Sequence, residues 1–149
     1  MTDHRQLAVD LFNHTWALLE NTDRSSEQDE EMIHAAHASR YHWSIAGTTK
    51  NHARGDWQLA RVYAAVGRFD ESEHYASLYL EACKQSNFDD WDLPFAYEGL
   101  ARACVQTNKH KSLEFLNEAR KRGELIAKVD DKQWLMTNLD EIAAMIDGK

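Results

Sequence analysis

A chain of 149 residues with 43% apolar residues has the length and the material for one domain with a real core. Its formal net charge of −8 argues against a general nucleic-acid binder, which needs a basic surface to displace counterions, and leaves only a local basic stripe open. Charged residues make up 28% and no apolar run approaches the roughly 20 residues that span a bilayer, which excludes a membrane protein.

The first predicted helix runs from about Asp3, a capping residue, to Asn21, with Leu7, Leu11 and Leu18 as its apolar stripe. After the polar loop Thr22 to Ser25, Ser25 or Ser26 caps a second helix. Its first turns are acidic (Glu27, Asp29, Glu30, Glu31), which suits the positive end of the helix dipole. Met32, Ala36, Ser39, Trp43 and Ala46 share a face, and Gly47 ends the helix. A third helix begins near Asn51 and stops at Gly67. Leu59, Val62, Tyr63 and Val66 stand at the spacing of a buried stripe, and Gly67 has the place of a C′ residue. Asp70 is then the expected cap of a fourth helix that buries Tyr75, Leu78, Tyr79 and Ala82. Asn87 to Asp92 reads as a solvated acidic loop with Trp91 tucked down. Pro94 fits the first turn of a fifth helix ending near Thr107. A sixth spans about Lys111 to Lys128. Asp130 or Asp131 caps a seventh, with Leu135, Leu139, Ile142 and Ile146 inward and Gly148 at its end.

Six glycines and one proline leave few turns for strands, so the expected class is all-α, one domain over 1–149. The start Met1-Thr2-Asp3-His4-Arg5 lacks an apolar signal segment, so the expected compartment is the cytoplasm. Cys83 and Cys104 lie in apolar helical patterns and read as two reduced thiols.

The pattern repeats. Leu59-Ala60-Arg61 recurs as Leu100-Ala101-Arg102, 41 residues on, and the same step relates Trp16 to Trp57, Leu18 to Leu59, Asp29 to Asp70 and Gly67-Arg68 to Asn108-Lys109. The run Trp57-Gln-Leu-Ala-Arg-Val-Tyr63, followed by Gly67-Arg-Phe-Asp-Glu-Ser72, resembles a tetratricopeptide repeat. Its leucine, small residue, tyrosine and turn glycine correspond to Leu59, Ala60, Tyr63 and Gly67, and Phe69 follows the turn. The period is longer than the usual ~34 residues. Ser72, Ala76 and Tyr79 also depart from the motif, and no proline ends the fourth helix. The resemblance implies a right-handed stack of three antiparallel helical hairpins with the seventh helix as a cap. It also implies a concave groove that recognises a protein or peptide.

In that register the groove positions are Arg54, Trp57 and Arg61, then Phe95, Glu98 and Arg102, and Asn13, Trp16 and Glu20 in the first hairpin. Helical spacing independently sets Arg54, Trp57 and Arg61 opposite the stripe Leu59, Val62, Tyr63, Val66. Arginines there, beside Trp57, suit an acidic or carboxylate-bearing partner. The competing reading has them paired with Glu98 or Glu20 and Trp57 packed between helices. The segment Arg40-Tyr41-His42-Trp43, with Asn51 and Arg54, is a candidate second wall that includes His42, against a plain helix end.

A second reading takes Glu30, Glu31, His34, His37, Glu71 and His74 as metal ligands of a helical enzyme, because Glu31-x-x-His34 and Glu71-x-x-His74 have the spacing of di-metal bundles. Helices 1 and 3 show no clear pair of completing carboxylates, so no metal or other cofactor is expected. Asp89, Asp90 and Asp92 lack the rest of a calcium loop. No nucleophile motif, phosphate loop or dinucleotide fingerprint occurs. The expectation is a non-catalytic binding module. A second copy of the chain, docking through an exposed helix face, is a further candidate partner.

Overall fold

Seven helices make up the computed structural model, which describes residues 1–148; Lys149, the last residue of the expected domain, lies outside the described residues. They are α1 (His4–Glu20), α2 (Ser26–Ala46), α3 (Thr49–Ala65), α4 (Phe69–Gln85), α5 (Asp92–Cys104), α6 (Lys109–Gly123) and α7 (Val129–Ile146). Among the described residues there is no strand, and no helix is long and apolar enough to cross a membrane.

The starts of the first three helices follow local side-chain chemistry. Asp3 accepts from the Gln6 amide. Ser25 and Gln28 form a reciprocal capping box, as do Thr48 and Asn51, so each pair satisfies two otherwise orphaned amides. At the end of α3 the amide of Gly67 donates to Ala64 and that of Arg68 to Tyr63, with Gly67 at φ 79°. This is a Schellman closure, which requires a residue free to adopt left-handed backbone. It turns the chain so tightly that α4 begins at Phe69. Asp70 therefore sits inside the first turn instead of capping it, and Arg68, the residue before the helix, makes no side-chain cap. Asp130 and Asp131 likewise fall in the first turn of α7. Helix α5 stops at Cys104, short of Thr107, and α6 is shifted towards the N-terminus of its expected span because Asn108 caps it by accepting from the Lys111 amide.

Consecutive helices pack on one another, and α3 also meets α1 and α5, while α5 meets α7. Helix α3 is therefore central and buried on nearly every side, at Ala53, Gly55, Trp57, Gln58, Leu59, Ala60, Val62 and Tyr63. Leu59, Val62 and Tyr63 join Leu18, Met32 and Ala36 in one apolar cluster. On the other side Trp57 joins Tyr79, Phe95, Leu135, Leu139 and Ile142 in the main core. A Cβ on Gly55 would stand 2.6 Å from Cδ of Arg40, so its missing side chain lets Arg40 cross the helix to Asp56, at 2.9 Å.

Close helix approach is built from small residues. Ser39 donates to the Ala8 carbonyl (2.8 Å), Ser72 to Ala60 (2.8 Å) and Ser112 to Ala101 (2.7 Å), all buried. This corrects the apolar stripe expected for α1: Ala8, Thr15 and Leu18 are the buried residues, and Leu7 is exposed. In α4 the buried set is Ser72, Ala76 and Tyr79, with Leu78 exposed, and in α2 Ala46 is exposed.

Candidate functional site

The face opposite Leu59, Val62 and Tyr63 exists as the spacing requires, but it is covered by α1, α5 and α7 rather than open. Arg54, Trp57 and Arg61 therefore part company. Trp57 is buried in an aromatic cluster, its ring 5.5 Å from Trp16, 5.7 Å from both Trp91 and Phe95, and 6.0 Å from both Tyr79 and Trp134. Its indole N–H has no hydrogen-bond partner.

Arg54 turns to the start of α5. It donates to both carboxylate oxygens of Asp92 (3.2 and 2.9 Å) and to Asp89 (2.7 Å), and its guanidinium lies 4.2 Å from the centre of the Trp91 ring. Asp92 is buried and also accepts from the Tyr79 hydroxyl (2.5 Å) and the Asp89 amide (3.0 Å). The acidic segment is solvent-exposed at Asn87, Asp89 and Asp90, as expected, but its carboxylates also act as acceptors, Asp92 from a buried position and Asp90 from the Ala127 amide. The hydrogen bond from Arg54 holds the exposed Asp89 carboxyl below its ordinary range.

Arg61 and Arg102 do meet, around the fully buried Glu98. Arg102 donates from Nε to Glu98 (2.9 Å), from Nη1 to Glu141 (2.9 Å) and from Nη2 to Asn138 (3.2 Å). Arg61 donates to the same Asn138 oxygen at 2.7 Å. Its Nη1 stands 3.6 Å from Glu98 Oε1, and neither of those two buried atoms has a hydrogen bond. Burial works against charge on both guanidiniums; the carboxylates of Glu98 and Glu141 outweigh it at Arg102, whereas at Arg61 burial wins. Glu98 thus serves Arg102 better than Arg61. Partial burial raises the Glu141 carboxyl, but its bond to Arg102 outweighs this and keeps it ionised below the usual range.

This network forms one side of a cavity of about 490 Å³. Its other walls are Trp16 and Trp134, whose rings touch at 6.1 Å, together with Leu19, Phe69, Val105 and Met145. Glu20, Ala65 and Val105 place it where α1, α3 and α5 end, and α7 closes the remaining side. Of the residues expected in a groove, Trp16, Glu20, Arg61 and Arg102 line this cavity and Glu98 lies directly behind the two arginines. Arg54 and Trp57 do not line it. Asn13 is an exposed residue of α1, and His42 pairs with His4, Nδ1 to Nδ1 at 2.9 Å, so the segment around it forms no second wall. Trp134, Asn138 and Glu141 are site residues that the sequence reading passed over. They share one face of α7 at the spacing i, i+4, i+7, a signal hidden because α7 read only as a cap.

The Glu and His residues of α2 and α4 disperse. Glu31 meets His14 (2.6 Å), Glu71 meets Arg68, and His37 bonds to the Tyr63 hydroxyl (2.7 Å); Glu30, His34 and His74 are exposed. Burial, reinforced by His34 and Arg68, lowers the His37 pKa. Among the described residues no group of three or more His, Cys, Asp or Glu is placed to hold a metal ion.

A second cavity of about 280 Å³, between Phe88, Asp92 and Leu125, holds Cys83. Burial and the nearby Asp92 carboxylate push its thiol up to about 12, so almost no thiolate exists at neutral pH. In the native protein at pH 8, Cys83 is expected to stay unmodified by iodoacetamide while a free-thiol peptide in the same tube reacts fully. Mass spectrometry of the digested protein reads the outcome; rapid native labelling of Cys83 would contradict this placement.

Comparison of the chain with protein-family models, with curated proteins and with solved structures finds no match.

Proposed function

We propose that the protein is a non-catalytic binding module that recognises a protein or peptide segment in the cavity between α1, α3, α5 and α7, on a tetratricopeptide-like stack of three helical hairpins capped by α7. The observation that carries the reading is the cavity itself. Its volume of about 490 Å³ lies in the range of ligand sites, about 300–1,000 Å³. Indole walls supply apolar contact area, and a fixed polar floor supplies orientation. The half-exposed Trp134 is the natural first contact, since Trp is among the residues that dominate binding energy at interfaces. For the stack, the support is internal: Ala60 with Ser72 and Ala101 with Ser112 make the same buried bond at corresponding places in two helix pairs, and α1, α3, α5 and α7 follow one another along one layer.

The test blocks the cavity without touching the floor. Ala65 is exposed at the end of α3 and lines the cavity, so Ala65→Trp fills it at little cost to the fold. Partners captured from lysate by the parent and identified by mass spectrometry are expected to be lost from Ala65→Trp, with unchanged circular dichroism. A folded Ala65→Trp protein that keeps every partner refutes the cavity as the binding site.

A further inference from the structure

We infer that the partner segment is basic, a lysine- or arginine-bearing peptide held by Glu20 and Glu141 against the indoles of Trp16 and Trp134. The inference rests on the cavity being the binding site and adds the sign of the charge it takes.

Every arginine of the lining is already engaged inside the protein, although at Arg61 the buried Nη1 has only a 3.6 Å ion pair to Glu98 and no hydrogen bond. Arg24 donates from Nη1 to the carbonyls of Leu18 (3.1 Å), Leu19 (3.4 Å) and Asn21 (2.7 Å), and from Nε to Asp29 (2.7 Å). Arg61 and Arg102 are held by Asn138, Glu98 and Glu141 as described. The carboxylates are less fully used. Glu20 is exposed and, among the described residues, has no ion-pair or hydrogen-bond partner; Glu141 is more than half exposed and gives Arg102 only Oε1. Counting those that bear on the cavity, Glu20, Asp29, Glu98 and Glu141 face three guanidiniums.

Backbone electrostatics tilt the balance the same way. The cavity lies where α1, α3 and α5 end, and each helix C-terminus carries the equivalent of about half a negative charge. The arginines can be read as the fold's own answer to those three helix ends. A carboxylate from a partner would meet negative helix ends and the two lining carboxylates, Glu20 and Glu141, while each lining guanidinium is already ion-paired within the protein. An ammonium or guanidinium would meet two accessible carboxylates. It would also meet two indole faces, the side chain best suited to cation–π contact. The net charge of −8 steers basic partners towards the protein over longer distances.

The probe is a randomised peptide library flanked by neutral linkers, selected on the parent protein and counter-selected on Ala65→Trp. Peptides that need an open cavity are expected to be enriched in Lys and Arg. The best of them is expected to lose roughly five- to tenfold in affinity for the double variant Glu20→Gln/Glu141→Gln, in line with two exposed ion pairs. Glu114→Gln, on the exposed face of α6, should leave its affinity unchanged. Enrichment of acidic or neutral peptides, or undiminished binding to the double variant, overturns the basic-partner inference and leaves the cavity as a binding site. A library that yields no peptide sensitive to Ala65→Trp overturns both.

Discussion

Replacing Glu98 by alanine is expected to destabilise the protein by about 3–5 kcal/mol, the range for removing one partner from a buried ionic network. The side chain is fully buried and bridges Arg102 at 2.9 Å and Arg61 at 3.6 Å. Alanine removes the nearest carboxylate to Arg61, leaving it the more distant Glu141, and one of the two that pair with Arg102, while both guanidiniums stay charged and largely buried. At roughly 2–4 °C per kcal/mol for a chain of this size, the melting temperature should fall by roughly 6–20 °C. Glu98→Gln keeps an acceptor for the Arg102 Nε–H and should lose less. The triple variant Arg61→Met/Glu98→Leu/Arg102→Met should recover most of the loss, since well-packed apolar replacements of buried ion networks are often neutral or better. Urea denaturation measures all three. A Glu98→Ala protein within about 0.5 kcal/mol of the parent would show that the arginines do not depend on it.

Trp57→Ala is expected to cost a similar amount, about 3–5 kcal/mol, for a different reason. Trp57 sits where α1, α3, α4, α5 and α7 meet, and five other aromatic rings lie within 6.0 Å of its own. No single neighbour can move to fill the space its loss leaves. Trp57→Phe is the informative partner. Because the indole N–H has no acceptor, phenylalanine sacrifices volume but no hydrogen bond, so its cost should be well below that of alanine. A Trp57→Phe protein as unstable as Trp57→Ala would mean that the N–H has a partner after all.

The elements were legible where local chemistry decides them. Asp3, Ser25 and Gly67 act where their side chains or backbone freedom are needed. Asp70 misled because the closure at Gly67 leaves no residues for a separate cap; the turn ended before the capping signal arrived. The α1 stripe misled because apolar size is a poor guide where helices approach through Ala and Ser. Ala8 and Ser39 bring α1 and α2 close enough to bond, and Leu7 is displaced to the surface.

The site was half legible for a related reason. Spacing correctly put Arg54 and Arg61 on one face of α3. They are seven residues apart, about 10.5 Å along the axis, far enough for each to find its own carboxylate. Arg61 and Arg102 came together as the repeat suggested. Glu98, the partner named by the competing reading, lies between them, but the second carboxylate at Arg102, Glu141, comes from α7, and nothing in the repeat encodes where that helix packs. How the arginines are paired is a tertiary property, and the charge left over for a partner follows from that pairing.

The most direct test of the cavity as the binding site is the indole N–H region of a proton–nitrogen correlation spectrum, in which the five tryptophans give five separate reporters. Trp16 and Trp134 line the cavity, Trp57 lies behind it, and Trp43 lies outside it, under the Arg5 side chain. Titration with a library-selected peptide is predicted to shift the indole signals of Trp16 and Trp134 strongly and to leave Trp43 in place. Binding that shifts Trp43 while Trp16 and Trp134 stay fixed would contradict the account, because the partner would then be held somewhere other than the face formed by α1, α3, α5 and α7.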